Sequence, residues 1–269
     1  MKLLKDISIG LSGYSKALQF IISNGLWWFF IFPVLLNVLF FVGGFYGIGM
    51  LTVALENWLQ VSFQEDSTPL FGLEMLRDAG YYIQKVLSGF LWLFFKITFF
   101  FVFATFGGYV VIICLSPIFA ILSEKTEEIL LGKTYPFNPD QMMRDIVRGV
   151  LIALRNVFIE TFYLILFFIL GFIPLVGQFA ALILFFISAY FYGFSFIDYS
   201  LERQRFSVAQ SIQFMRKNKG LAIANGSVFA LIMLIPIVGV TLAGFVSIVS
   251  VVAATISAQK IINQPINEV

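Results

Sequence analysis

"LGFIPLVGQFA", residues 170–180, has a near echo in "LIPIVGVTLAG", residues 234–244. The shared element Ile-Pro-x-Val-Gly lies at Ile173–Gly177 and again at Ile235–Gly239. Each copy interrupts a stretch free of Asp, Glu, Lys and Arg, 161–197 and 220–259. Proline removes a backbone donor and clashes with the preceding turn, and glycine permits a reversal. Each run is therefore expected to fold back on itself, with Pro174 and Gly177 at one corner and Pro236 and Gly239 at the other. The arm before the second corner, about 221–235, would be about 22 Å long as helix. That is short of the ~30 Å hydrocarbon layer of a bilayer.

Two more uncharged runs, 17–55 and 97–123, lie upstream. Hydrophobic residues make up 60% of the chain and charged ones 12%, and the mean hydropathy is +0.95. A soluble domain of this length has too little interior to hide that much apolar surface. Each uncharged run exceeds the ~20 residues needed to cross as helix. The runs lack the short alternating pattern of a transmembrane β-barrel. The first apolar run starts too late and is too long for a cleavable leader. The class is an all-α integral membrane protein.

Charge placement orients it. The N-terminal segment carries Lys2, Lys5 and Lys16 against Asp6, and the connector from Glu56 to Lys85 is acidic. The connectors 124–160 and 198–219 carry five basic residues each. Lysine and arginine stay on the cytoplasmic side. The expected topology is two full crossings, 26–55 and 86–118, and two re-entrant helical hairpins, 161–197 and 220–259. Residues 1–24 form an amphipathic interfacial helix through Ile7, Leu11, Tyr14, Leu18 and Ile21. Residues 124–160 and 198–219 are cytoplasmic connectors of one membrane domain, 1–269, and both termini are cytoplasmic. If each Pro/Gly run were instead one kinked span, the basic connector 198–219 would lie outside.

Within the connectors, "NPDQ" (138–141) and "SVAQ" (207–210) read as helix starts. Arg144, Arg148 and Arg155 share one helix face, read as facing anionic headgroups. Asp198 and Glu202 are read as a local ion-pair network with Arg203 and Arg205. Glycine pairs such as Gly107-Gly108 are read as packing positions.

The absences exclude several chemistries. With no histidine there is no Ser-His-Asp triad, His-ligated metal or imidazole relay, and the single Cys114 forms no internal disulfide. A formal charge of +2 does not suggest nucleic acid. No Walker loop is present, no cofactor is expected, and intramembrane acid–base groups are too few to suggest an enzyme. Lys96 lies about 15 Å into the second crossing. A charge at that depth is a functional candidate, and snorkelling beside Trp92 is its structural alternative.

Five stretches in order, "NGLWWFFIFPVLLN", "LSPIFAILSEKTEEILLG", "FIPLVGQ", "FIDYSLERQRFSVAQSIQFMRKN" and "LIPIVG", resemble CysZ-like membrane proteins, grouped with the etoposide-induced transmembrane proteins. The resemblance spans about Lys16 to Thr255. It implies two long spanning helices, two partly penetrating hairpins, a homo-oligomer in the bacterial inner membrane, and sulfate uptake. It also implies an anion site at Asn24, Gly25 and Leu26, where that family has two arginines next. Here Trp27 and Trp28 occupy those places, so the charge-assisted part of the site is missing and the tryptophans read as interfacial anchors. The expected function is a channel or facilitator for sulfate or another small anion. The alternative is a non-transporting scaffold or bilayer-shaping protein.

Overall fold

A computed structural model describes residues 2–64, 86, 89–90, 93–94, 97, 108–132, 139–173, 176–235 and 238–263. Lys96, Pro174, Pro236, Asn138 and much of the expected crossing 86–118 lie outside these. The chain forms two compact units, one of residues 1–36 with 106–269 and one of residues 37–105. Among the described residues the regular structure is helical throughout, without a strand.

Helix α1 (Lys2–Ser23) ends at a turn in which Gly25 takes a left-handed conformation, φ 69°. That conformation suits glycine because it lacks a Cβ. The chain swings by 106° there into a 3-10 helix, Leu26–Phe30, which leads into α2 (Ile31–Gln64). Pro33 does not break α2, because it sits in the first turn, where its absent N–H has no intrahelical partner to lose. At 34 residues, α2 is about 51 Å long and runs past the boundary expected at residue 55.

The described part of α3 (Gly108–Cys114) bends by 68° into the next helix, α4 (Ser116–Leu131). Then follow α5 (Pro139–Leu170), α6 (Val176–Arg203), α7 (Val208–Lys217), α8 (Lys219–Met233) and α9 (Val238–Ile262). The capping box at Ser207 forms as the sequence suggests. The Ser207 hydroxyl accepts from the Gln210 N–H (3.3 Å), and the Gln210 side chain accepts from the Ser207 N–H (2.7 Å).

The ends of the echoed motif are joined by the same hydrogen bond in both copies. The Gly177 N–H donates to the Ile173 carbonyl at 3.0 Å, and the Gly239 N–H donates to the Ile235 carbonyl at 2.7 Å. A Cβ on Gly177 would overlap the Gly171 carbonyl, and one on Gly239 would overlap the Ile232 carbonyl. Glycine is thus required at both corners by close approach of the two arms. α5 packs on α6 and α8 on α9, so each pair is a helical hairpin. One expected boundary moves. α5 is a single rod from Pro139 to Leu170, so the arginine-bearing connector and the first hairpin arm are one continuous helix.

The core lies where α6, α8 and α9 meet, with α1 and α4 against them. α6 and α8 cross through two small-residue pairs, Ala189 with Gly193 and Ala222 with Gly226. A Cβ on Gly193 would overlap the Ala222 carbonyl, and one on Gly226 the Ala189 carbonyl. Small residues let backbones come into contact where no solvent drives association. Helix α1 docks in the same way. Its buried stripe is Asp6, Gly10, Gly13, Ala17 and Ile21, and Gly10 and Gly13 lie against Ala224 and Ala253. Leu4, Leu11, Leu18 and Ile22 remain exposed along another face.

Among the described residues, three helices are long and apolar enough to cross a bilayer: α5, α6 from Phe179, and α9 from Thr241. Counting each bent pair as one span, α1 with the start of α2 and α3 with α4, brings the number to five. α8, at 15 residues, is about 22 Å long. Toward the hairpin corners large apolar side chains face outward, among them Phe158, Phe162, Phe168, Phe172, Leu231 and Leu234. An apolar surface of that extent matches hydrocarbon rather than water. The chain is a multi-pass, all-helical membrane protein.

Candidate functional site

The segment singled out by sequence sits at the α1–α2 bend. Leu26 and Phe29, one 3-10 turn apart, share the buried face. Trp27 and Trp28 point outward, 66% and 46% exposed, with the Trp28 ring tilted against Phe29 at 4.1 Å. The Asn24 amide donates to the Phe20 carbonyl (2.8 Å) and the Ser23 hydroxyl (3.3 Å). The backbone N–H groups of Asn24 and Gly25 donate back into α1. The donors of Asn24 and Gly25 therefore serve to close α1. The new helix starts at Leu26 without a side-chain cap, so any anion-facing donors begin there.

This bend is joined to the second hairpin. Phe30 stacks on Phe245 of α9 at 6.2 Å, and Pro33 packs against the Gly244 backbone. The fold brings residues 26–33 to the arm that starts just before Gly239. Among the expected site residues, Gly177 and Gly239 act as turn formers, while Lys96, Pro174 and Pro236 lie outside the described residues.

The arginine face of α5 turns inward, not toward headgroups. The Arg148 side chain is 14% exposed and grips Asp198 of α6 with two bonds of 3.1 Å. It also lies 3.8 Å from Glu202 and donates to the Phe206 carbonyl and the Ser211 hydroxyl of α7. Arg155 lies over the Phe194 ring, 5.6 Å from its centroid, and donates to the Asn156 side chain at 3.0 Å. Arg144 is the exposed member of the three.

A second guanidinium completes the cluster. Arg203 pairs with Glu124 of α4 at 2.6 Å and Asp145 of α5 at 2.9 Å. Gln141 donates to Asp145, and Gln204 to the fully buried Glu127. The network is thus interhelical rather than local. Arg205 is exposed in the turn after α6, with φ 60°. Two guanidinium groups face four carboxylates. Among the described residues of this cluster no surplus positive charge is left, and the chemistry here is helix clamping.

A further polar centre, absent from the sequence expectations, joins α3, α5 and α6. The Glu160 carboxylate accepts hydrogen bonds from the Tyr109 and Ser188 hydroxyls, one on each oxygen. The Tyr109 ring lies tilted against Tyr192 at 4.8 Å, and Tyr192 meets Phe229 of α8 edge-on at 4.8 Å. Among the described residues, Glu160 has no ion pair. Its position was legible in principle. The buried stripe of α5, Asp145, Gly149, Ile152 and Asn156, reaches Glu160 four residues later. No group of His, Cys, Asp or Glu among the described residues is arranged to hold a metal ion.

The matched region of a known family takes in the Gly25 bend, the ionic clamp, Glu160 and both hairpin corners. Over residues 14–243 the chain matches the family described as sulfate transporter CysZ/etoposide-induced protein 2.4, and it belongs to that family of transport-associated membrane proteins.

Proposed function

We propose that the protein is a channel or facilitator for sulfate or another small anion. It resides in the bacterial inner membrane as a homo-oligomer, with both termini cytoplasmic and both hairpins re-entrant from that side. The observation that carries this reading is the match to a sulfate-transporter family across residues 14–243. Two features of the fold support it. The short α8 and the paired Pro/Gly corners fit broken, partly penetrating segments of the kind found at transporter binding sites. The chain reversal at Gly25 starts a new helix without a side-chain cap, and backbone N–H groups at a helix start attract anions. Trp27 and Trp28 replace the cations expected beside it, so an anion held there relies on neutral donors. Lys96 is a further candidate contact for it.

The test is uptake of labelled sulfate, and of other small anions, into liposomes containing the purified protein. Uptake no greater than in empty liposomes for every anion overturns the reading. A paired measurement compares sulfate binding by the wild type with Trp27→Arg/Trp28→Arg. A gain of affinity in the double variant marks an otherwise intact site.

A second reading is a bilayer-shaping scaffold, favoured by the exposed stripe Leu4, Leu11, Leu18 and Ile22 and by the outward indoles. Growth of a cysteine-auxotrophic deletion strain on sulfate, restored by this chain, defeats it.

A further inference from the structure

We propose that Glu160, held between the Tyr109 and Ser188 hydroxyls, is a reversible proton-binding site inside the helical bundle, so that protonation alters the joint between α3, α5 and α6. Its link to transport rests on the function proposed above; its proton chemistry does not.

The geometry suits both charge states. As a carboxylate, Glu160 accepts one hydroxyl hydrogen bond on each oxygen, from two different helices. As a carboxylic acid it has one O–H to donate and loses one strong acceptor. The Ser188 hydroxyl can rotate to accept that proton while its own hydrogen turns to another acceptor. The proton comes from water and returns to it; no bond other than O–H forms or breaks. Uptake of one proton therefore exchanges one of the two interhelical bonds for its reverse.

Among the described residues, the surroundings offer Glu160 no competing charge. From α3 the group facing Glu160 is Tyr109, and from α6 they are Ser188 and Tyr192. α8 adds the Phe229 ring against Tyr192. On α5 itself, Arg155 is engaged by Asn156 and Phe194, and Tyr163 lies three residues further along. The acids of α4, Glu124 and Glu127, are bound to Arg203 and Gln204. Two hydroxyls are thus the polar partners of a carboxylate within an otherwise apolar stretch of a membrane-length helix. Ionisable groups in such settings mark proton and ion pathways.

The test is infrared difference spectroscopy of the intact protein in lipid, titrated from neutral to acid pH. A protonated-carboxyl band that rises with acid, is lost in Glu160→Gln and is kept, shifted, in Glu160→Asp is the expected result. Tyr109→Phe removes one hydrogen bond to the charged form, and the band's midpoint should move up by roughly one pH unit. Identical titrations in wild type and Glu160→Gln overturn the proposal, as does a midpoint unmoved in Tyr109→Phe. This second variant serves even if Glu160→Gln does not fold. Where anion uptake is measurable, its pH dependence should flatten in Glu160→Gln. Absence of uptake by the wild type, with the band still titrating, refutes the transport reading and leaves the proton site standing.

Discussion

Replacing Arg148 by methionine should strongly destabilise the bundle. The guanidinium is mostly buried and compensates Asp198 and Glu202, whose side chains are 3% and 9% exposed. It also satisfies a backbone carbonyl and the Ser211 hydroxyl. Methionine fills much of the same volume but removes the bidentate partner of buried Asp198 and one of the two cations acting on Glu202. Removing one partner of a buried ion pair costs about 3–5 kcal/mol, chiefly through the charge left behind. For a chain of this size ~1 kcal/mol moves the melting temperature by about 2–4 °C, so the loss should be on the order of 10 °C. Circular dichroism melting of purified protein in detergent measures it. Arg148→Lys should recover part of the loss, because one ammonium cannot grip Asp198 bidentately and still reach α7. Arg148→Met/Asp198→Leu should lose less than the sum of its single changes, since the orphaned charge is removed with its partner. A melting temperature within a degree or two of wild type in Arg148→Met, or strict additivity in the double variant, refutes the clamp.

Two further outcomes follow from backbone geometry. Gly226→Ala places a methyl group where the Ala189 carbonyl and the Gly193 N–H already sit. The α6–α8 crossing must open, at a cost of about 1–3 kcal/mol; an unchanged melting curve contradicts the close crossing. Arg205→Gly relieves a left-handed residue in the turn after α6 and should stabilise by roughly 1 kcal/mol. A lower melting temperature in that variant means the arginine side chain contributes more than its backbone costs.

Much of this architecture is legible in the sequence. Gly177 and Gly239 of the repeated Ile-Pro-x-Val-Gly element sit where two helix arms come into close approach, because glycine's missing Cβ acts locally. The capping box at Ser207 is equally local. What failed was long-range. Arg148 reads as a lipid-facing cation because nothing in its neighbourhood of sequence reveals Asp198, fifty residues on. Helix α1 shows the same limit from the apolar side. Its apolar stripe reads as an interfacial face, and nothing local reveals that Gly10, Gly13 and Ala17 dock against α8 and α9. Glu160 was overlooked because it closes the charged connector and precedes the uncharged run by one residue. A boundary drawn on charge alone put it on the wet side, whereas the four-residue spacing from Asn156 points it inward.

The unbroken course of α5 has a mechanical consequence. Twenty-two residues separate Arg148 from Leu170, about 33 Å along one stiff shaft. A tilt that displaces the first hairpin's corner must therefore pull on the grip between Arg148 and Asp198 or be resisted by it. Deformation cannot be absorbed at a hinge midway, because α5 has none. The ionic clamp and the first hairpin's corner answer to the same lever.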